Sequence, residues 1–194
     1  MEIAKHTYQK KKREFRIQSL YSRCLITRKI SIPITAIGKN LKETIEEIVK
    51  LSFEGKCVVE GFIKHNSSKI ITHSSGVIER GNLISFEVVF ECDICFPVEG
   101  MLILCVAKNI TKAGIKAESA TEVPSPVIVF VAKDHHYSAS HFSEIKEGDK
   151  FNVKVIGQRF ELNDKYISVI GELVKEKEQS THKQYIKPRL VIED

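Results

Sequence analysis

The chain has 194 residues, of which 42% are hydrophobic and 28% are charged, and a formal net charge of +5. This composition is typical of a folded globular protein and excludes wholesale disorder. The longest apolar runs, 101–107 and 127–132, are far shorter than the roughly 20 residues that span a bilayer. No secretory signal is visible, and no membrane association is expected. Five cysteines at irregular spacing do not form a disulfide framework, which favours a reducing, intracellular compartment.

The positive charge is concentrated at the beginning of the sequence. Residues 1–30 contain nine Lys or Arg and two acidic residues, a net +7, so the other 164 residues carry −2. A basic arm over residues 1–20 suits a polyanion or an acidic protein surface. A solvated tail that keeps the protein soluble explains the same charge equally well.

The sequence before residue 81 predicts short strands and one helix. Residues 24–34 alternate β-branched and polar side chains, which predicts a strand. Apolar side chains at helical spacing predict an amphipathic helix of about 12 residues that begins at Leu41. Further strands are predicted over 56–64, 69–73 and 77–78.

The clearest pattern covers residues 83–96, where strict alternation predicts one long strand with a buried face. That face contains Phe86, Val88, Phe90, Cys92, Ile94 and Phe96. The alternation places Cys92 and Cys95 on opposite faces, so the CxxC spacing is interpreted as structural rather than as a zinc or redox site. A thiol or metal protein that uses this pair is the alternative.

The sequence after Pro97 predicts a small β-barrel. Five short strands are separated by turn signals, over 101–109, 113–119, 127–132, 150–158 and 166–173. A polar excursion over 134–145 has room for a short helix, and 189–192 for a terminal strand. Five strands with this spacing are typical of an OB-type barrel. The predicted fold class is therefore α+β: one main helix on an antiparallel sheet, followed by a five-stranded OB-type barrel.

No catalytic motif stands out. A polar cluster over 134–144 contains three histidines and two acidic residues, but its spacing matches no known metal-ligand or catalytic pattern. The sequence has no phosphate-binding glycine loop, no GxSxG and no triad. We therefore expect neither enzymatic activity nor a metal or cofactor.

The barrel segment offers side chains suited to single-stranded nucleic acid, because OB folds combine basic grooves with aromatic stacking. The predicted RNA-binding residues are Lys112, Lys116, Phe130, Lys133, Lys154 and Arg159. Composition alone is equally compatible with phenylalanines that fill the core and lysines that only face solvent.

Two stretches carry a family resemblance. In residues 30–57 a strand reaches Pro33, Gly38 precedes a helix that begins at Leu41, and Glu54-Gly55 leads into the next strand. In residues 81–119 the long alternating strand reaches Pro97-x-x-Gly100, followed by a strand, a glycine turn and another strand. In this order, over roughly residues 20–174, the sequence resembles the RNA polymerase stalk family. That family comprises the seventh subunit of eukaryotic RNA polymerase II and its counterpart in the archaeal enzyme.

The resemblance implies a non-catalytic stalk subunit of a multisubunit DNA-directed RNA polymerase. It divides the chain into a basic arm (1–20), a tip domain that docks on the polymerase core (21–96), an OB barrel that contacts RNA (97–175) and a polar tail (176–194). The expected core-docking residues are Gly55, Lys56, Lys64 and His65. The expected partners are core polymerase subunits, a small helical stalk subunit and nascent single-stranded RNA.

Some features depart from the family pattern. Residues 114–117 lack the aromatic side chain that RNA-binding barrels of this class place after the glycine, which favours phosphate contacts over base stacking. The divergence suits a viral polymerase, which implies host cytoplasm or virion, whereas a cellular protein would be nuclear. The alternative function is a free-standing OB-fold RNA-binding protein of translation or RNA decay, which leaves the tip-like half unexplained.

Overall fold

The computed structural model describes residues 19–136 and 140–174. These residues contain one α-helix, α1 (Leu41–Phe53), and eleven strands. Six strands form the N-terminal sheet: β1 (Tyr21–Pro33), β2 (Cys57–Val58), β3 (Gly61–Ile63), β4 (Lys69–His73), β5 (Val77–Glu79) and β6 (Leu83–Cys95). Five strands form a closed barrel: β7 (Leu102–Ile110), β8 (Gly114–Ser119), β9 (Val127–Ala132), β10 (Lys150–Arg159) and β11 (Ile167–Val174). No helix in the described ranges is both long and apolar enough to cross a bilayer.

The long strand β6 organises the N-terminal sheet. It pairs with β1 in antiparallel register along 13 residues, and β3, β4 and β5 follow one another along its other edge. Every even-numbered residue from Phe86 to Ile94 is buried, as the alternation predicts. The helix α1 packs on this face through Ile45 and Val49, and the rings of Phe53 and Phe90 stack at 5.9 Å.

The barrel has the strand order of an OB fold. Its order is β7-β8-β9-β11-β10, with β10 closing on β7, and β9 and β11 form a parallel pair. Alternate residues of each strand point inward, so valines at 127, 129 and 131 are fully buried. The α+β fold with a C-terminal barrel is confirmed.

The two halves share apolar contacts and hydrogen bonds. The barrel core also contains Leu20, Cys57, Phe62 and Cys95. The amide of Cys57 donates to the Asp164 carbonyl at 2.8 Å, and the amide of Asn163 donates to the Cys57 carbonyl at 2.9 Å. The end of the N-terminal sheet is therefore attached to the loop between β10 and β11.

Three local predictions need correction. The single strand predicted over 56–64 is instead the β2–β3 hairpin, because the chain turns before Gly61. Gly61 has a φ of +133°, and its Cα lies against the Cys95 carbonyl.

Phe96, which the alternation predicts on the buried face of β6, lies beyond the end of that strand. It is 46% exposed and packs edge to face on Phe160 at 6.1 Å. The excursion after β9 forms two 3₁₀ turns, Lys133–His135 and Ser140–Glu144, instead of one helix. The predicted strand at 189–192, the residues before 19 and those after 174 lie outside the described ranges.

The CxxC cysteines lie in two different cores. Cys92 packs between α1 and the sheet, whereas Cys95 packs in the barrel core, so their side chains diverge as predicted. Burial raises the pKa of both thiols to about 12. Both cysteines fill apolar space. Within the described residues, no group of three or more His, Cys, Asp or Glu side chains is arranged to hold a metal ion.

Candidate nucleic-acid interface

A row of exposed side chains crosses the outer face of the barrel. Lys116 on β8 lies directly opposite Phe130 on β9, and Phe130 lies opposite Ile170 on β11. Because inward positions alternate with outward ones, all three side chains face solvent. Phe130 is 37% exposed and Ile170 is 51% exposed, so this row contains both a cation and an accessible aromatic ring.

Two more lysines lie at the same end of this face. The β7–β8 turn, with Lys112 at its tip, is closed by a hydrogen bond of 2.9 Å from the Thr111 amide to the Gly114 carbonyl. The Lys133 amide donates to the Ala113 carbonyl at 3.0 Å, which fixes Lys133 beside this turn. We call Lys112, Lys116 and Lys133 the basic cluster. Their ammonium groups have no carboxylate within 4.0 Å among residues 19–136 and 140–174.

Gly114 allows the Phe130 ring to lie against β8. A Cβ at this position would collide with the Val131 carbonyl and stand 2.9 Å from Phe130 Cζ. Its φ of +158° is also one that L side chains rarely adopt. The glycine thus lets the backbone of β8 approach the outer end of the ring at Cζ.

The other predicted RNA-binding residues, Lys154 and Arg159, lie apart from the basic cluster. Both are on β10, where Lys154 is in register with Glu172 and Arg159 with Ser168. The Arg159 guanidinium donates to Glu161 at 3.2 Å on a fully solvated part of the surface. The structure therefore brings together four of the six predicted residues and leaves these two on another wall.

The positive charge of the barrel surface is local, because the barrel segment as a whole is nearly neutral. Residues 97–174 contain nine Lys or Arg and ten Asp or Glu, so the segment has no excess of positive charge. Lys108 is paired with Glu118 at 3.4 Å, whereas the basic cluster is unpaired within the described ranges. The basic cluster therefore places three cations without a carboxylate partner, within the described ranges, at this end of the β8–β9 face.

The predicted core-docking residues contact other parts of the same chain. The ring of His65 packs against the Cα of Gly55, which has a φ of +69°. Lys56 Nζ donates to the Leu51 and Ser52 carbonyls at 3.1 and 3.4 Å, which satisfies the C-terminal end of α1. A docking role for these residues stays a prediction.

Lys64, the fourth predicted docking residue, joins the sheet to the barrel. Its ammonium group contacts Glu122 at 3.2 Å and lies 4.6 Å from the centre of the Tyr21 ring. Burial, followed by the neighbouring Cys95, Glu122 and Asp93, raises the pKa of Tyr21 well above its ordinary value. The phenol therefore stays neutral, and Lys64 has one charged partner and one aromatic partner within the chain.

An exposed apolar surface lies at the far end of the N-terminal sheet, and sequence reasoning missed it. Ile34, Val77 and Ile78 are 50%, 62% and 78% exposed. The Ile34 amide donates to the Asn82 carbonyl at 2.9 Å, and β5 pairs with the same end of β6, so the three residues lie at this end, with the Val77 and Ile78 side chains on opposite faces of the sheet. The signal in the sequence is weak because a two-residue apolar run on a short strand resembles an ordinary buried strand.

Within the polar cluster over residues 134–144, His136 has a structural role. This side chain is buried, its Nδ1 lies 2.7 Å from the Ala132 carbonyl, and its Nε2 accepts the Leu173 amide at 2.9 Å. Its ring stacks on Phe142 at 5.5 Å. His136 thus links the segment after β9 to β11 and closes that part of the barrel; the His141 side chain lies outside the described set.

Comparison with known proteins gives one near full-length similarity. The sequence matches no known protein-family model. It is 26% identical over 190 residues to a curated protein of Acanthamoeba polyphaga mimivirus named "Putative DNA-directed RNA polymerase subunit L376". The alignment covers 90% of this chain and 92% of the mimivirus protein. The similarity therefore includes both the N-terminal sheet and the barrel.

Proposed function

We propose that this chain is a non-catalytic subunit of a multisubunit DNA-directed RNA polymerase. The observation that carries the proposal is the similarity to the mimivirus protein over nine-tenths of both chains. Because the alignment covers both halves of the chain, the similarity extends to the sheet, the helix and the barrel. A protein that shared only the barrel would align over the second half alone. The fold, with α1 on an antiparallel sheet followed by an OB-type barrel, supports the stalk position that the family resemblance implies.

In this proposal the barrel contacts nascent single-stranded RNA. The basic cluster supplies phosphate contacts, and Phe130 supplies a surface on which a base stacks. Lys154 and Arg159 extend the contact around the barrel for a longer strand. No residue of the chain takes part in phosphodiester chemistry, which belongs to the large subunits.

The N-terminal sheet docks on the polymerase core in this proposal. The exposed apolar side chains of Ile34, Val77 and Ile78 support docking at this end of the sheet, because a partner that wraps around the end would bury apolar surface on both faces. A small helical stalk subunit is a further expected partner. The mimivirus relative favours a viral enzyme, with the complex in the host cytoplasm or the virion.

Co-purification tests the proposal directly. The full chain carries an affinity tag in its natural host system, and the recovered proteins are identified and quantified. We expect the two largest polymerase subunits in amounts comparable to the tagged chain. Recovery of ribosomes or nucleases without polymerase subunits would instead assign the chain to translation or RNA decay.

A double variant of β5 and a single-charge control on the barrel locate the docking surface. Val77→Asp with Ile78→Asp places two charges on the apolar end, and we expect recovery of the large subunits to fall at least tenfold. Val123→Asp is the control, because this barrel side chain is 97% exposed and lies outside the proposed docking surface. Equal recovery with all the variants would refute the assignment of this surface.

A further inference from the structure

A row of exposed apolar side chains crosses three neighbouring strands of the barrel. Ile170 on β11 is in register with Phe130 on β9, and Gly157 on β10 is in register with Ile170. The register shift between Val155 and Gly157 places Ile156 in a β-bulge beside this position, where it is 44% exposed. We call Phe130, Ile170 and Ile156 the apolar row.

The fold does not need apolar side chains at these outward positions. The neighbouring outward positions on the same strands hold polar residues, Ser168 and Glu172 on β11 and Lys154 on β10. The barrel core is filled from the inward positions, such as Val129 and Val169, which are buried. Adjacent exposed apolar side chains on a protein surface mark a contact site for another molecule.

Charge indicates the direction in which a polyanion would leave the basic cluster. Toward the β8–β9 loop, Glu118 and Glu122 line a shared cleft, so a phosphate backbone would meet two carboxylates there. Lys116 lies on the same register line as the apolar row, one strand before Phe130. A phosphate bound at Lys116 therefore has apolar side chains beside it across β9, β11 and β10.

The far side of the apolar row also has cations. Lys154 and Arg159 lie two residues before and three residues after Ile156 on β10. Lys154 is in register with Glu172, so this side is less positive than the basic cluster. Arg159 contacts Glu161 at 3.2 Å, but both side chains are largely exposed, and solvated ion pairs of this kind are weak. The Arg159 guanidinium is therefore open to a competing phosphate.

We propose that, within the RNA-binding role proposed for the barrel, the apolar row holds a second unpaired base against Ile170 and Ile156. The RNA strand then crosses the barrel from Lys116 toward Arg159. Neighbouring strands are about 4.8 Å apart, so the row extends about 10 Å from Phe130 to Ile156 and has room for a base beside the one on Phe130. Every base has an apolar face, so packing on such a row is tolerant of sequence. A duplex keeps its bases stacked inside the helix, so the row selects single-stranded RNA.

Substitutions at Ile170 test the proposal by fluorescence anisotropy, with the full chain and fluorescein-labelled decauridylate at 150 mM NaCl. Ile170→Thr removes apolar surface and is expected to weaken binding about threefold. Ile170→Phe adds a stacking ring and is expected to strengthen binding about fivefold or more, a gain that damage to the fold cannot produce. Ile71→Thr and Ile71→Phe are the matched controls, because Ile71 on β4 is 52% exposed and Ile170 is 51% exposed. We expect neither control to change the affinity.

Three outcomes would overturn the proposal. One is equal affinity of the Ile170 variants and the unmodified chain. A second is that the Ile71 variants change the affinity as much as the Ile170 variants do. The third is an Ile170→Asp variant that recovers tenfold less of the large polymerase subunits but binds decauridylate normally, which would assign the row to a protein partner.

The apolar row and the proposed function fail separately. RNA affinity is measured on the isolated chain, so it does not depend on recovery of polymerase subunits. If Phe130→Ala weakens binding and the Ile170 variants do not, the RNA interface stands and only the apolar row is wrong.

Discussion

Lys116 and Phe130 occupy directly opposed positions on β8 and β9, so an ammonium group and an exposed aromatic ring lie side by side on the barrel. Directly opposed residues on one face of an antiparallel pair have Cβ atoms about 5 Å apart. A nucleotide has a charged phosphate and a flat base at a comparable spacing. This pair is therefore the structural unit from which the predictions about RNA begin.

Charge reversal at the basic cluster should weaken RNA binding. For Lys112→Glu, Lys116→Glu and Lys133→Glu together, we expect at least a tenfold loss of affinity for fluorescein-labelled decauridylate. Loss of three phosphate contacts also lowers the slope of log affinity against log salt by about 2, at ~0.7 per contact on a single strand. Fluorescence anisotropy between 50 and 300 mM NaCl measures both quantities.

The matched control is Lys146→Glu, Lys150→Glu and Lys165→Glu, which makes the same charge change at exposed positions elsewhere on the barrel. Both variants keep the basic arm, so any binding by the arm is common to them. Equal losses in the two variants would mean that only net charge matters and that the β8–β9 face is not the binding surface.

Replacement of Phe130 should weaken RNA binding by removing a stacking surface. For Phe130→Ala we expect a loss of about 1–3 kcal/mol in binding to decauridylate, the usual worth of one base stacked on an aromatic ring. Because the ring is only 37% exposed and packs beside Gly114, the alanine variant should also lose stability, so affinity is measured at a temperature well below its unfolding midpoint. Phe130→Trp is the control and keeps a stacking surface. Unchanged affinity in the alanine variant would restrict the interface to phosphate contacts.

The glycine beneath this ring should be intolerant of a side chain. Gly114→Ala places a Cβ against the Val131 carbonyl, and we expect about 1–3 kcal/mol of destabilisation. For a chain of this size, 1 kcal/mol corresponds to roughly 2–4 °C in melting temperature. Gly157→Ala is the matched barrel control, because a Cβ there meets no atom within 4 Å. Calorimetry on the two variants should therefore separate them, and equal melting temperatures would contradict the close approach of β8 and β9.

The five cysteines should differ sharply in reactivity. All are free thiols; Cys24 is half-buried and the other four are buried. Burial raises the pKa of Cys57 to about 11 and those of Cys92, Cys95 and Cys105 to about 12. Since the thiolate is the nucleophile and a raised pKa favours the protonated form at pH 8, only about one in 1,000 to one in 10,000 of these four thiols is ionised.

Iodoacetamide at pH 8, followed by mass spectrometry, should modify Cys24 alone in the native protein. The other four should react only after denaturation. Their reactivity in the folded protein should rise about tenfold per pH unit, because each unit below the pKa increases the thiolate fraction by that factor. Rapid native modification of Cys92 or Cys95 would contradict the structural role assigned to the CxxC spacing.

Much of the fold follows from local patterns in the sequence. Strict alternation from Phe86 to Ile94 fixes β6 as an amphipathic strand, and it also separates Cys92 from Cys95. The helical spacing of apolar residues such as Ile45 and Val49 predicts a helix of about 12 residues that begins at Leu41, and α1 has 13 residues from the same start. These predictions hold because an amphipathic element buries its apolar side wherever the rest of the chain lies.

The candidate interface is less accessible to sequence reasoning. Lys112, Lys116, Phe130 and Lys133 lie together in the structure, since they are on adjacent strands, on the turn between β7 and β8, and directly after β9; their role in RNA binding stays a prediction. Lys154 and Arg159 are similar in composition but belong to β10, and only the strand order places them on another wall. The type of a side chain does not reveal which residue it pairs with in the fold. Lys64, for example, pairs with Glu122, which lies 58 residues away in the sequence.

The sequence by itself determined the element types, the α+β class and the alternation that buries one side of each strand, because these depend on residues only a few positions apart. Tertiary structure decided which cations remain unpaired within the described residues and which apolar side chains stay exposed at the end of the N-terminal sheet. Those properties depend on register and on strand order, which bring distant residues together, and a pairing shifted by one residue would turn each side chain to the other face.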